Sequence, residues 1–433
     1  MISRLPRHDH SLAVAGPSLA KTKRQSLNPV KENYDVIVIG GGSMGLSTAY
    51  HLAKRKTKTL VLERFTFLNQ NGSSAGVSRQ FRIPYPEPYM VKMVLEAIPF
   101  WQELQTHTSA QLLDTVGTLW FGDPKVKSSE GNIGEAEKAL KANKVAFTTL
   151  DSKQIEQEYH FKALPKNFTG LFQADGASID LRATLETLLK SNQQSGHVTL
   201  KENSPVTGIR QSGKLFEVST PQGVYASEKL VLTPGPYVDE VTRFLNFGTE
   251  VIYWNMTSMY FKKTNPKIKY PTWFVFQNPA GPSGNEFYGF PEVSWDHPGY
   301  IRVAPDFVMK PLTDPGQRTS VPNQDEVKYT CAWVKNHMSG LDPKPHFEST
   351  CFVALSKDQN KELIVDFAPE SVPNHRNIVI YATGWAGKFV PFLGRILSDL
   401  ALEGKTKYDI SHFRLGDKIF KTSPNFNRRP KHP

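Results

Sequence analysis

Three glycines, Gly40, Gly42 and Gly45, have the spacing of a dinucleotide-binding turn, because they fit the pattern GxGxxG. Gly40 permits a tight turn, Gly42 lets backbone N–H groups approach a pyrophosphate, and Gly45 lets a helix pack closely on a strand. Glu63 follows 18 residues after Gly45 and would accept hydrogen bonds from both ribose hydroxyls of an adenosine, which disfavours NADP. The motif alone does not decide between FAD and NAD.

The elements around the glycines are those that a dinucleotide site requires. Residues 34–39 form a β-branched run typical of a buried strand, residues 46–54 have helical spacing of apolar side chains, and residues 58–62 predict a second strand. The N-terminus of the helix would favour the negative charge of a phosphate. The sequence therefore predicts a complete β-α-β unit that binds a dinucleotide.

The rest of the chain predicts an α/β fold in which a Rossmann-type domain is interleaved with a second, α+β domain built on a mainly antiparallel sheet. Strands and helices typical of the first domain are predicted at 179–192, 229–235, 377–384 and 390–402. A helix is predicted at 89–106, and aromatic-rich alternating stretches predict antiparallel strands at 252–254, 259–261, 273–276 and 287–290. We expect the nucleotide-binding domain to comprise 33–80, 166–245 and 351–412, and the second domain 81–165 and 246–350.

The charge and cysteine content exclude several classes of function. The net charge is +11, but residues 1–32 carry +4 and residues 413–433 carry +5, so the body is nearly neutral and we expect two basic tails, the first disordered. We therefore expect no nucleic-acid partner. No apolar run is long enough for a membrane span, and the two cysteines indicate a reducing compartment, the cytoplasm, with the peroxisome and mitochondrion left open. We expect no metal site.

Four stretches resemble one known family. They are the glycine motif with Glu63, the segment 71–82, the segment from Cys351 to Asp366, and residues 384–406. The sequence is similar there to the FAD-dependent amine oxidases of the monomeric sarcosine oxidase family, within the D-amino-acid oxidase group, whose relatives include fructosyl amino acid, saccharopine and pipecolate oxidases. The resemblance covers about 34–413 and implies an FAD-binding domain and a substrate domain.

The resemblance assigns roles to individual residues. It implies that Arg79 lies beside the flavin ring, that Arg82 and Lys388 bind the substrate carboxylate, and that Cys351 is linked covalently to the flavin, with Ser356 and Asp358 at the expected offsets. From the residues alone, two solvated arginines are the weaker alternative, whereas a small buried hydrophobe is the favoured interpretation of Cys351. We expect FAD to contact the following residues: Gly40, Gly42, Ser43, Met44, Gly45, Glu63, Arg64, Ser73, Arg79, Cys351, Gly384, Gly387 and Lys388.

Several positions depart from the family pattern. Arg302 stands where the family has a lysine that promotes reaction with oxygen; it keeps a positive charge but cannot donate a proton near neutral pH. Ala75 replaces a histidine, Val353 replaces an aromatic residue, and the approach to Lys388 is shortened. We therefore expect a roomier pocket, completed by Tyr253, Trp254 and Trp385. We expect Arg82, Lys388 and Arg302 to be the catalytic residues.

The implied function is oxidation of the C–N bond of a secondary amino acid to an imine that hydrolyses, with molecular oxygen as acceptor and hydrogen peroxide as product. Two alternatives stay open within the same fold: an amine dehydrogenase, and a tailoring oxidase of a larger amine in a biosynthetic pathway. A non-catalytic flavin-binding protein and a nicotinamide dehydrogenase are weaker alternatives. We expect a monomer that acts on a small molecule.

Overall fold

The computed structural model describes residues 32–128, 130–278, 285–357, 363–416 and 419–421. The predicted N-terminal tail, apart from Glu32, and Asp358 lie outside the described residues. The strands are β1 (Glu32–Ile39), β2 (Thr59–Leu62), β3 (Ser78–Phe81), β4 (Leu113–Thr115), β5 (Thr118–Gly122), β6 (Thr148–Asp151), β7 (Thr169–Gln173), β8 (Ala177–Asp180), β9 (Val198–Lys201), β10 (Gly208–Ser212), β11 (Leu215–Thr220), β12 (Gly223–Leu232), β13 (Phe247–Thr249), β14 (Val251–Lys263), β15 (Thr272–Phe276), β16 (Phe287–Phe290), β17 (Tyr300–Pro305), β18 (Leu341–Ser356), β19 (Val365–Phe367), β20 (Ile378–Tyr381) and β21 (Ile419–Lys421). The helices are α1 (Ser43–Lys54), α2 (Pro88–Thr108), α3 (Ile133–Ala142), α4 (Ser152–Tyr159), α5 (Leu181–Gln194), α6 (Val238–Thr242), α7 (Gln324–His337) and α8 (Val390–Glu403).

The nucleotide-binding sheet is parallel at its centre. Strand β1 lies between β2 and β12, β2 pairs with β9, and β12 pairs with β20, all in parallel. Residues 36–39 are buried, as expected for a strand covered on both faces. Helices α1 and α8 pack together over this sheet, and a Cβ added to Gly394 of α8 would lie 2.1 Å from Ser47 Oγ of α1.

The second sheet has the order β18-β14-β17-β16-β15-β5-β7-β6, and every described pairing in it is antiparallel except β15 with β5. A small third sheet, β3-β8-β4, lies near the turn Gly387–Phe389. The predicted fold class, a parallel dinucleotide-binding sheet with a mainly antiparallel second sheet, is confirmed.

The structure changes some predicted elements. The helix predicted from Ile179 begins at Leu181, because Ala177–Asp180 form β8 and the Asp180 side chain caps the helix by accepting from Ala183 N. The strands predicted at 252–254 and 259–261 are parts of one strand, β14. The domain boundaries stay a prediction: β7 pairs in the antiparallel sheet, and β18 crosses the expected boundary at 350/351. Within the described residues, no helix has the length and apolar character needed to cross a membrane.

Candidate active site

The glycine turn between β1 and α1 is packed as closely as its sequence predicts. Gly40 has φ of +109°, and a Cβ there would lie 2.3 Å from Thr233 O. A Cβ on Gly45 would lie 1.8 Å from Gly40 O, so only glycine lets the helix approach the turn. Gly42, which precedes Ser43 and Met44, has no side chain to cap α1, and one N–H group of the first turn, Ser43 N, donates to Ser74 Oγ (3.0 Å). A helix that begins at a glycine turn in this way suits a phosphate.

Glu63 lies at the end of β2, next to the turn. Its carboxylate accepts hydrogen bonds from Gly41 N (2.7 Å) and Phe65 N (2.9 Å). Burial raises the pKa of Glu63, while these two N–H groups oppose the shift. Arg64, the next residue, forms an ion pair with Glu240 (2.7 Å) and lies over the Tyr237 ring (4.7 Å). Glu63 and Arg64, both predicted to contact FAD, line the same cavity as the glycine turn.

Arg79 connects the β3 segment with the antiparallel sheet. Its guanidinium donates to the carbonyl oxygens of Ser73 (2.9 Å), Ala75 (2.7 Å) and Ser78 (2.8 Å), and Nη2 also lies 3.3 Å from Cys351 Sγ. A Cβ on Gly387 would lie 3.2 Å from Arg79 Cβ, so the turn before the last helix packs tightly against this arginine. Gly384 has φ of +109° in the turn that precedes it.

Arg82 and Lys388 lie at another wall of the cavity and are both buried. The guanidinium of Arg82 pairs with Glu130 and lies over the rings of Tyr85 (4.6 Å) and Trp120 (4.8 Å). Burial would lower the pKa of Arg82, but the Glu130 carboxylate raises it above its usual range, so Arg82 stays charged. Among the described atoms, Arg82 Nη1 is buried without a hydrogen-bond partner.

The Lys388 side chain contacts the same tyrosine. Its Nζ donates to Tyr85 Oη (2.5 Å) and to Trp385 O (2.9 Å). Burial, followed by repulsion from Arg82, lowers the pKa of Lys388 well below its usual value. The side chains of Arg82 and Lys388 therefore form one polar wall around Tyr85, in which Arg82 Nη1 is a donor without a partner among the described atoms.

Arg302 of β17 lies in a third part of the cavity. Its guanidinium lies 3.6 Å from the centre of the Phe290 ring, and Nη2 donates to Ser78 O (3.1 Å). Asp296 Oδ2 lies 3.5 Å from Arg302 Nη1. Arg302 is thus a buried, paired cation on the cavity wall and not a solvated strand residue.

A family model described as FAD dependent oxidoreductase matches residues 35–400. The chain belongs to this family. NikD, described as an unusual amino acid oxidase essential for nikkomycin biosynthesis, is 34% identical; its structure has a TM-score of 0.84 and the match covers 91% of this chain and 100% of that one. Human peroxisomal sarcosine oxidase is 27% identical (89% of this chain, 96% of that protein), as is Bacillus monomeric sarcosine oxidase (90% and 98%).

A Dictyostelium discoideum protein whose name includes the words bifunctional amine oxidase is 34% identical over 407 residues, and the chain spans 37% of its length. The oxidoreductase is thus an amino acid or amine oxidase of the sarcosine oxidase group that acts on CH–NH bonds. The prediction of the family is confirmed, and with it FAD as the family's cofactor.

The residues of this oxidoreductase fit FAD. A cavity of about 1020 Å³ extends from the glycine turn to Lys388, and all the residues predicted to contact FAD line it except Gly45, which lies beneath Gly40. Its volume suits a cofactor together with a small substrate. The glycine turn with the start of α1 would hold the pyrophosphate, Glu63 would bind the ribose, and Arg79 and Cys351 would contact the flavin ring.

Sequence reasoning missed some residues of the cavity and misplaced others. Glu130, Asp296 and Asp306 line it, but each lies in a loop without a recognisable motif. Tyr253 was expected in the pocket; it packs in the core against Phe352 (5.7 Å between ring centres). Trp254 lies behind Trp385 (6.2 Å), which does line the cavity.

Proposed function

We propose that this oxidoreductase oxidises the C–N bond of an amino acid with a secondary amine, N-substituted or cyclic, to an imine that is then hydrolysed. The observation that carries the proposal is the buried wall formed by Arg82 and Lys388, in which Arg82 Nη1 has no partner among the described atoms. A buried donor without a partner is costly, so a ligand that supplies an acceptor is favoured. A carboxylate suits both donors.

The chain's own residues would bind and orient the substrate. Arg82 stays charged at every accessible pH, and Glu130 fixes its orientation. Lys388 would regain its full charge beside a carboxylate, because an opposite charge favours the protonated amine. FAD, when bound, supplies the acceptor for the hydride equivalent that leaves the substrate carbon.

The wall beyond this carboxylate site supports a substrate larger than an N-methylated glycine. Met256 and Val353 belong to a buried apolar cluster, against which Tyr288 and Trp385 pack. All four side chains line the cavity. Ala75, also on the cavity wall, has a small side chain. An apolar, aromatic wall would bind a ring or a long apolar substituent. The similarity to NikD supports this second candidate, a tailoring oxidase of an unusual amino acid.

Molecular oxygen is the acceptor in the proposal, with hydrogen peroxide as product, and Arg302 would contribute positive charge on the cavity wall. A dehydrogenase that uses another acceptor is the alternative, since Arg302 cannot supply a proton. A covalent link from Cys351 to the flavin is part of the proposal. The monomeric state, the cytoplasmic location and the domain boundaries stay predictions from the sequence.

The test measures how fast each amino acid reduces the flavin of the FAD-loaded chain. The rate is read from the loss of flavin absorption in the absence of oxygen. We would compare sarcosine, N-methyltryptophan, proline and pipecolate, each with its methyl ester. The proposal expects the bulkier acids to react fastest and the esters to react poorly, because the esters cannot form the ion pair with Arg82. Equal reaction of acids and esters would refute the carboxylate anchor. Oxygen uptake with the best substrate then separates an oxidase from a dehydrogenase.

A further inference from the structure

Asp296 is a buried carboxylate on the cavity wall that the oxidation scheme does not use. It is 5% exposed and lies in the segment between β16 and β17. Oδ2 accepts a hydrogen bond from Ser78 Oγ (2.9 Å) and faces Arg302 Nη1 (3.5 Å), while Oδ1 lies 3.0 Å from His297 Nδ1. A buried charge persists only when it is paired and hydrogen-bonded, and this one has partners on three sides.

The same partners fix Arg302. Its Nη2 donates to Ser78 O (3.1 Å), and its guanidinium lies over the Phe290 ring (3.6 Å to the ring centre). Trp295 Nε1 donates to Ser78 Oγ (3.1 Å), so the serine that binds Asp296 is held from both directions. These contacts restrict the rotation of the Arg302 guanidinium. Asp296 contributes a carboxylate to them.

His297 closes the cluster on the outer side. It has φ of +50°, an uncommon conformation for a residue other than glycine, and its ring lies between Tyr260 (4.3 Å) and Phe347 (4.6 Å). Strained backbone of this kind persists where the surroundings determine it and is concentrated at functional sites. In this conformation the histidine Nδ1 lies 3.0 Å from Asp296 Oδ1.

We infer that Asp296 is a positioning residue, which holds Arg302 against the cavity wall and offsets the positive charge that Arg302 and Arg79 bring to the flavin site. Both arginines donate to one carbonyl oxygen, that of Ser78, so their charges act on the same region. Reduction adds negative charge to the flavin, which nearby cations favour and nearby carboxylates oppose. Asp296 thereby lowers the reduction potential of the bound cofactor.

The experiment compares the full FAD-loaded chain with Asp296→Asn and Arg302→Gln, measuring the reduction potential anaerobically against a reference dye. We expect Asp296→Asn to shift the potential upward and Arg302→Gln to shift it downward. Asp296→Asn should also lower kcat while leaving KM of the best amino acid within about twofold, because in the described part of the chain no hydrogen bond or ion pair links Asp296 to Arg82 or Lys388. The matched control is Asp399→Asn, which removes a buried carboxylate paired with Arg55 away from the cavity and should leave the potential unchanged.

Shifts of the same sign in both variants, or an unchanged potential in Asp296→Asn, would overturn the inference. If Asp296→Asn fails to hold FAD, Asp296→Glu answers the same question, since it keeps the charge and moves the carboxylate. If Asp296 is a positioning residue, Asp296→Glu should have a lower kcat and a nearly unchanged reduction potential. A kcat equal to that of the wild-type protein would count against the inference.

Discussion

Arg79 Nη2 lies 3.3 Å from Cys351 Sγ, although 272 positions separate the two residues in the chain. The same nitrogen donates to Ser73 O and Ala75 O, so the arginine is held against the loop on one side and reaches the sulfur on the other. The half-buried Cys351 faces the cavity and is therefore accessible to a flavin ring.

Replacement of Cys351 by alanine tests the covalent link. We expect wild-type protein to keep its yellow colour in the pellet after acid precipitation, and Cys351→Ala to release FAD into the supernatant. Cys331→Ala is the control, because Cys331 lies on α7 outside the cavity and burial raises its pKa to about 11, which makes it unreactive. Release of the colour from wild-type protein would reject the link while leaving FAD as the cofactor.

A second prediction concerns the glycine turn. Gly45→Ala would place a Cβ 1.8 Å from Gly40 O, so either the helix or the turn must move. Overpacking of this kind costs about 1 to 3 kcal/mol, and we expect lower thermal stability and a marked loss of bound FAD. Gly72→Ala is matched to it, since a Cβ there would meet nothing within 4 Å and Gly72 lines the same cavity. Similar FAD content in both variants would contradict the close-packing argument.

The sequence predicted the elements whose pattern is local. The glycine turn, α1 and the strands on either side follow from spacing alone, and the resemblance supplied Arg79, Arg82 and Lys388. Tyr253 was misplaced because alternate residues of a strand face opposite sides. Met256 and Ser258 of β14 face the cavity, whereas Tyr253 packs in the apolar core that contains Phe352. Such a strand gives no local sign of which face meets the cavity.

Glu130 illustrates what local pattern cannot supply. It follows β5 in a loop, 48 positions from Arg82, and only the folded chain brings the two charges together. Asp296 is similar, because its partners Ser78 and Arg302 belong to different strands. Charged loop residues are usually solvated, so sequence reasoning has no ground for choosing these carboxylates over the many others.

His51 provides a prediction about stability and pH. Burial lowers the pKa of His51 to about 3, and Nε2 lies 2.8 Å from Pro391 O, which requires a hydrogen on that nitrogen. The unfolded chain binds a proton near pH 6.5 and the folded chain does not, so the free energy of unfolding should fall as the pH drops below that value. The expected loss is of the order of 2 kcal/mol between about pH 6.5 and about pH 5.

Urea unfolding at several pH values measures this dependence. His51→Gln removes the titrating group, so its free energy of unfolding should be lower at neutral pH yet less sensitive to acid. His346→Gln is the control, because His346 is a partly exposed surface residue paired with Asp342. Parallel pH curves for wild-type protein and His51→Gln would show that His51 does not control the acid sensitivity.

The carboxylate anchor is tested by removing the buried pair as a unit. Arg82→Met alone would remove the cation that pairs with the buried Glu130 carboxylate, so the informative variant is Arg82→Met/Glu130→Gln. A hydrogen bond to a charged group contributes about 1.5 to 3 kcal/mol, and we expect KM for the best amino acid to rise roughly 10- to 100-fold. Glu130→Gln alone keeps the guanidinium and should bind the acid at least as well. Unchanged KM in the double variant would exclude Arg82 as the anchor.

The lowered pKa of Lys388 predicts that carboxylate affinity depends on pH. Only the protonated amine attracts an anion, so affinity is full below the pKa of Lys388 and falls as the pH rises through it, which occurs well below the usual lysine value. The measurement is the dissociation constant of benzoate, read from the flavin absorption between about pH 6 and about pH 10. Lys388→Arg keeps its charge over this range and should remove the dependence, whereas Lys388→Met should bind weakly at every pH. Because Arg82 cannot titrate there, a pH dependence that survives in Lys388→Arg would have to come from a different group, and Lys388 would no longer account for it.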